Sequence, residues 1–249
     1  MELVSGIVAA TVASAFTVEL WLSWRARRRL HAEAWTLAFA AYSLGTWALV
    51  AGLAFGWSAT SFRFFYFFGA IANIPLLAVG AIALVVSERA ARRFLAPTLL
   101  WVVVGFFATF LAPLSAPLLH DGVPEGSDVF GFSFVIDALT LPGPRMFAAV
   151  SGAVGSVVII GLSLGTIVRN LSGNRRLVWA NILIIGGVLA PAFGGTLTAF
   201  GDSAGLSMSL MIGITLLWAG YRMATGSRRQ PVSGEIWEIS VRALEESER

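Results

Sequence analysis

The sequence predicts an all-α integral membrane protein built as a bundle of seven transmembrane helices, and three observations lead to this prediction. Of its 249 residues, 57% are hydrophobic and only 12% are charged, about half the charged share of a typical soluble domain. Seven apolar stretches reach the roughly 17–25 residues that a helix needs to cross a bilayer. Arginines collect in every second segment between these stretches, as they do when a membrane orients a chain by its charges.

The seven spans make up a transmembrane domain over residues 1–223, and a polar tail follows at 224–249. Within the tail, residues 235–248 either form a short amphipathic helix on the inner leaflet or remain partly disordered. The predicted spans are residues 3–24, 34–56, 64–86, 94–113, 146–168, 177–200 and 206–223.

One connection is long, and it covers residues 114–145 on the predicted outer side. Phe130, Phe132, Phe134 and Ile136 alternate there with other residues, a period of two that is typical of a strand. We therefore expect an extended strand or a hairpin in this loop, able to fold over the bundle as a lid.

The distribution of arginine predicts the orientation of the chain. All 17 basic residues are arginine, and fifteen of them lie between spans 1 and 2, 3 and 4, or 5 and 6, or at the end of span 7 and beyond it. Arginine-rich loops stay in the cytoplasm, so the N-terminus is expected outside and the C-terminus inside a cell membrane. The first residues lack the basic region of a signal peptide, which indicates a retained first span. The absence of lysine, with abundant alanine and glycine, is typical of a high-GC bacterial genome.

The spans also divide into two groups of three, with span 4 as a connector. A tryptophan and two glycines recur in both groups at nearly the same spacing. The pattern is either a parallel repeat in a 3+1+3 arrangement or a chance alignment in a glycine-rich chain. These residues are Trp35, Gly56 and Gly69 in the first group and Trp179, Gly201 and Gly213 in the second.

Several kinds of chemistry lack the residues that they need. The chain has no cysteine, which excludes disulfides and thiolate catalysis. It has no lysine for a Schiff base, so a covalently bound retinal is excluded. His31 and His120 both lie outside the bilayer core, which argues against a haem held by two histidines. No catalytic motif is found, so we expect no enzyme activity, metal, cofactor or nucleic-acid partner.

Seven spans with an outside N-terminus at this length resemble, in topology alone, two known architectures: rhodopsin- or receptor-like bundles and the three-one-three sugar transporters of the SWEET type. The lysine that would hold retinal is missing from the seventh span. SWEET-type prolines lie in the first two helices of each group of three, whereas Pro75 lies in span 3 here. No family is identified, because topology alone does not carry function.

Glu19 is the clearest ionisable residue within a span, and such residues are rare and often functional. It lies about one and a half turns from the arginine-rich end of span 1. It is either a proton-coupling carboxylate or ligand partner, or one half of a structural ion pair. Asn181, one turn into span 6, is a candidate partner for it on the cytoplasmic side.

Two spans carry a proline near their middle. Pro75 frees the carbonyl of Ile71 and is expected to kink span 3, which places a polar site beside Asn73 or serves only helix packing. Pro191 lies in the matching region of span 6 and is followed by two glycines, a pattern that favours a hinge.

Aromatic and polar residues in spans 2 and 3 are candidates for the lining of an interior pocket. These are Tyr42, Thr46 and Trp47 in span 2 and Tyr66 in span 3. Arg63, just before span 3, either binds an anion at the pocket mouth or extends its side chain to the interface.

The sequence favours a transporter or binding protein for a small molecule or lipid, with the ligand held near Asn73, Pro75, Pro191 and Glu19. The alternative is a non-transporting sensor or an accessory subunit of a membrane complex. In that case small-residue helix faces such as Gly186, Ala190 and Gly194 would contact a protein partner or a second copy of the chain.

Overall fold

A computed structural model describes residues 1–114, 123–124, 126–199 and 203–226. The side chains of 196–199, 203–204 and 226 lie outside this description. Seven helices in the described residues are long and apolar enough to cross a membrane, which confirms the predicted class of fold. They are α1 (Glu2–Arg27), α2 (Leu30–Phe55), α3 (Ala59–Val85), α4 (Glu88–Leu111), α5 (Pro144–Asn170), α6 (Arg175–Ala199) and α7 (Ser203–Gly226).

Local signals in the sequence set the boundaries of several helices. The α1 helix ends where Arg28 adopts a left-handed conformation (φ 48°) and donates its N–H to Trp24. Ser58 and Ser61 form a capping box at the start of α3, and the Ser87 side chain caps α4. The connections between α1 and α2, α3 and α4, and α5 and α6 are short. They bring the ends of α1, α3 and α5 and the starts of α2, α4 and α6 to one end of the bundle. We call it the arginine-rich end.

Six of the helices form a closed ring in which α1, α2, α3, α5, α6 and α7 pack in that order and α7 returns to α1. The α4 helix lies outside the ring and packs on α3 and α5. Burial agrees with this order, because 56% of the most apolar stretch of α3 is buried against 17% for α4. The ring places the interior faces of α2, α3, α5, α6 and α7 around one central space.

Small residues allow the helix backbones to approach closely. A Cβ on Gly187 would lie 2.8 Å from the carbonyl oxygen of Gly213, and one on Gly45 would lie 2.8 Å from the backbone nitrogen of Gly69. Lipid tails supply no hydrophobic force between helices, so close packing of this kind holds the bundle together. By contrast, the Cβ positions of Gly161 and Gly165 meet no atom within 4 Å.

The irregularity expected from Pro75 lies one turn upstream of the proline. Residues Phe67–Ala72 form a π-helical segment inside α3, and α-helical geometry resumes at Asn73. Proline cannot donate a hydrogen bond to the carbonyl four residues earlier. Such π-segments are frequent at functional sites.

The described part of the 114–145 loop contains one helical turn, Gly126–Val129, and a hairpin of β1 (Ser133–Ile136) and β2 (Leu139–Pro142). Phe134 pairs with Leu141 across it, so a hairpin is present as predicted, although Phe130 and Phe132 precede its first strand. The turn residues Asp137 and Ala138 both have positive φ, as a two-residue hairpin turn requires.

Candidate functional site

The central space of the ring contains a cavity of about 280 Å³. Helices α2, α3, α5, α6 and α7 line it, and no described residue of α1 or α4 does. Its lining consists mostly of apolar side chains and glycines, with no charged group among the described residues. The polar side chains in the lining are Tyr42, Thr46, Tyr66, Asn73 and Ser156.

Two helices open the cavity by presenting small residues. On α5, Ala148, Gly152 and Ser156 recur at intervals of four and therefore share one face. On α3, Gly69 lines the cavity from within the π-helical segment. A Cβ added to Gly69 or to Gly152 would meet no atom within 4 Å, so both glycines face open space.

Asn73 is the distinctive polar group of this lining. Its side chain is 6% exposed, and its Oδ1 is buried without a hydrogen-bond partner among the described residues. A buried acceptor left in this state costs about 1–3 kcal/mol. A hydrogen-bond donor that reached this oxygen would offset this cost.

The other polar groups of the lining have different roles. The Tyr42 hydroxyl donates to the carbonyl of Leu210 at 2.8 Å, and the Thr46 hydroxyl donates to the carbonyl of Tyr42 at 2.8 Å. The first bond ties α2 to α7 and the second lies within α2, and together they leave neither hydroxyl proton free for a ligand. The Tyr66 ring meets that of Phe130 with 5.0 Å between centroids. The described part of the 114–145 loop therefore packs directly on a cavity residue.

Five of the residues singled out from the sequence come together in this cavity, and five do not. Tyr42, Thr46, Tyr66, Asn73 and Pro191 line it. Pro75 is partly buried on α3 outside the lining, and the remaining four have partners elsewhere. Trp47, named with the pocket candidates, is 44% exposed and donates to Ser14 at the edge of the bundle.

Glu19 lies near the arginine-rich end, away from the cavity. It accepts a hydrogen bond from the Trp218 indole at 2.8 Å and pairs with Arg222 at 3.2 Å. Its side chain is 32% exposed, so this is a partly solvated ion pair that joins α1 to α7. Of the two roles expected for Glu19, the geometry corresponds to the structural ion pair.

Asn181 and Arg63 also have partners of their own. Asn181 donates to the carbonyl of Leu177 in its own helix at 2.8 Å, where a contact with Glu19 was expected. Arg63 donates from Nη2 to the carbonyl of Ala112 at 2.8 Å and thereby ties α3 to the end of α4. Neither side chain lines the central cavity.

The α5 wall formed by Ala148, Gly152 and Ser156 was not predicted from the sequence. Their four-residue spacing was visible in the sequence, but the same helix carries Gly161 and Gly165 at the same interval, and periodicity does not say which pair faces inward. Among the described residues, no three His, Cys, Asp or Glu side chains lie close enough together to hold a metal ion.

Comparison with known protein families, curated proteins and solved structures finds no match for this chain. The fold and the site define a seven-helix, multi-pass membrane protein with an internal cavity. Any more specific function has to be argued from that cavity.

Proposed function

We propose that this protein binds a small, uncharged and largely apolar molecule in the central cavity and moves it across the cell membrane. The observation that supports the proposal is the cavity of about 280 Å³ that is lined by Asn73, a residue whose buried amide oxygen has no hydrogen-bond partner among the described residues. Known ligand pockets are apolar clefts of roughly 300–1,000 Å³ with a few polar groups that orient the ligand. This cavity lies just below the lower end of that range.

The lining defines the chemistry of the ligand. No charged side chain is present in the described lining, and burial of an unpaired charge in such surroundings is very costly. A neutral ligand is therefore favoured, and it should carry a hydrogen-bond donor for Asn73. The lining also lacks a carboxylate, histidine or cysteine, so we propose binding without catalysis.

Movement of the ligand requires parts of the wall that can change shape, and two are present. The π-helical segment of α3 and Pro191 of α6 both line the cavity. Broken helices beside the substrate are a recurrent feature of transporters, and proline is a common cause of helix bending.

We also propose the orientation and arrangement that the sequence suggested. The arginine-rich end would face the cytoplasm, with the N-terminus outside. If α1, α2 and α3 are exchanged for α5, α6 and α7, every pair of neighbouring helices in the ring becomes another neighbouring pair, and α4 stays outside the ring. That property is expected of two parallel repeats joined by a connector.

The binding proposal is tested with two probes of equal size, 2-naphthol and 2-methylnaphthalene, of which only the first donates a hydrogen bond. Isothermal titration of the purified protein should show 2-naphthol binding about 5–30-fold tighter, since a hydrogen bond to a buried group contributes about 1–2 kcal/mol. Asn73→Leu should remove that preference.

Asn181→Leu is the matched control, because Asn181 is equally buried (7% exposed) and lies outside the cavity lining. It should retain the preference for 2-naphthol. Equal affinity of the two probes for the unmodified protein would contradict the role of Asn73. Failure of both to bind would contradict the proposed ligand class. Binding without access from the cytoplasmic side would favour the sensor or accessory-subunit alternative.

A further inference from the structure

A second, smaller cavity of about 50 Å³ lies nearer the arginine-rich end of the bundle. Its lining includes Phe16 of α1 together with Leu84, Ser163, Asn181 and Tyr221, and these last four lie closer to that end than the residues of the central cavity on the same helices. A water molecule needs roughly 10–15 Å³ of such volume, so the space can hold water beside Ser163 and Asn181.

The two cavities have three lining residues in common: Phe39, Leu77 and Leu217. Each comes from a different helix (α2, α3 and α7), and they are 3%, 6% and 7% exposed. A residue that lines both spaces stands between them. A single layer of apolar side chains therefore separates the central cavity from the smaller one.

Hydrogen bonds from α2 hold this layer on both sides. Trp35, Phe39 and Tyr42 share one face of α2, since their spacing is four and three residues. On the side nearer the arginine-rich end, the Trp35 indole donates to the carbonyl of Leu77 in α3 at 3.2 Å. On the opposite side, the Tyr42 hydroxyl donates to the carbonyl of Leu210 in α7. The α2 helix is thus bonded to α3 on one side of the layer and to α7 on the other.

We infer that the two cavities are successive parts of one path through the bundle, and that the Phe39–Leu77–Leu217 layer is its closed gate toward the arginine-rich side. A narrow apolar layer of this kind excludes water and ions without any charged residue. The inference rests on the proposed transport function, because a pure binding protein has no need of a second cavity on the same axis.

The chain contains no cysteine, so single cysteines can be placed without background. Ser156→Cys reports on the central cavity and Ser163→Cys on the smaller one, with the same substitution two turns apart on α5. Silver ion is small, does not cross lipid and binds thiolates. Silver ion is added to inverted membrane vesicles. The protein is then unfolded in denaturant, and the thiols that have not reacted with silver ion are counted with a maleimide.

We expect Ser163→Cys to react with silver ion in inverted vesicles, and Ser156→Cys to react at least tenfold more slowly. Combination of Ser156→Cys with Leu77→Ala should raise its rate at least tenfold. Leu84→Ala is the control, since it makes the same change on α3 but lies outside the layer, and it should leave Ser156→Cys protected. If Leu77→Ala does not fold, Leu217→Ala carries the same expectation.

Rapid reaction of Ser156→Cys without a second change would show that no gate closes this side, and an unreactive Ser163→Cys would show that no wet path begins there. No gain from either layer variant would contradict the assignment of the gate. Titration of 2-naphthol with the same variants separates the two proposals. If 2-naphthol binds but the silver reactivities contradict the gate, only the path between the cavities is overturned. If the unmodified protein does not bind 2-naphthol, the proposed function itself is overturned.

Discussion

Gly152→Leu is the sharpest perturbation of the central cavity that the structure offers. Gly152 lines the cavity, and a Cβ at its position would meet no atom within 4 Å. A leucine there should place its four side-chain carbons in the space that a ligand would occupy. The fold should tolerate this change, because replacing a helical glycine by a good helix former stabilises a helix by about 0.8–1 kcal/mol.

Gly161→Leu makes the same change nine residues later in α5, at an exposed position that also has no atom within 4 Å. Both variants should therefore keep or slightly raise the midpoint of thermal unfolding in detergent. Only Gly152→Leu should weaken 2-naphthol binding, by at least tenfold, which corresponds to about 1.4 kcal/mol or more. Unchanged affinity in Gly152→Leu, or equal losses in the two variants, would refute the assignment of the cavity as the binding site.

Three further changes test contacts around the site. Glu19→Gln should leave 2-naphthol affinity within twofold. It should destabilise the protein by at most about 1 kcal/mol, because its ion pair is partly exposed. A larger loss of affinity would indicate that this carboxylate takes part in ligand binding. Tyr42→Phe removes a hydrogen bond between helices and should cost about 0.6–1.7 kcal/mol, read as a lower unfolding midpoint. Gly187→Val meets the α7 backbone and should lower that midpoint strongly, whereas Gly195→Val in the same helix meets nothing within 4 Å and should not; equal effects would contradict the observed helix packing.

Much of the architecture followed from simple properties of the sequence. Span length and hydropathy reflect the thickness of the bilayer, and each of the seven helices overlaps one predicted span. The hairpin was visible because Phe130, Phe132 and Phe134 alternate in a polar loop. Five residues that line the cavity were chosen because polar, aromatic or helix-breaking residues are uncommon in a lipid-facing segment.

Which of these candidates share a site was decided by packing. Glu19 looked functional because carboxylates in spans are rare, yet α7 brings Trp218 and Arg222 to it at a distance of 199 and 203 residues along the chain. No periodicity in the sequence encodes such a contact.

Hydropathy, span length and the distribution of arginine were enough to predict the class of protein, because they can be read along the chain without knowledge of which helices are in contact. The tertiary structure alone decided where empty space remains, because a cavity depends on which faces of five helices meet. The small residues of α5 and the π-segment of α3 leave that space beside Asn73, and the Phe39–Leu77–Leu217 layer bounds it. Helical periodicity predicts on which face of its own helix a residue lies. Whether the space next to that face is filled or empty depends on the side chains of another helix.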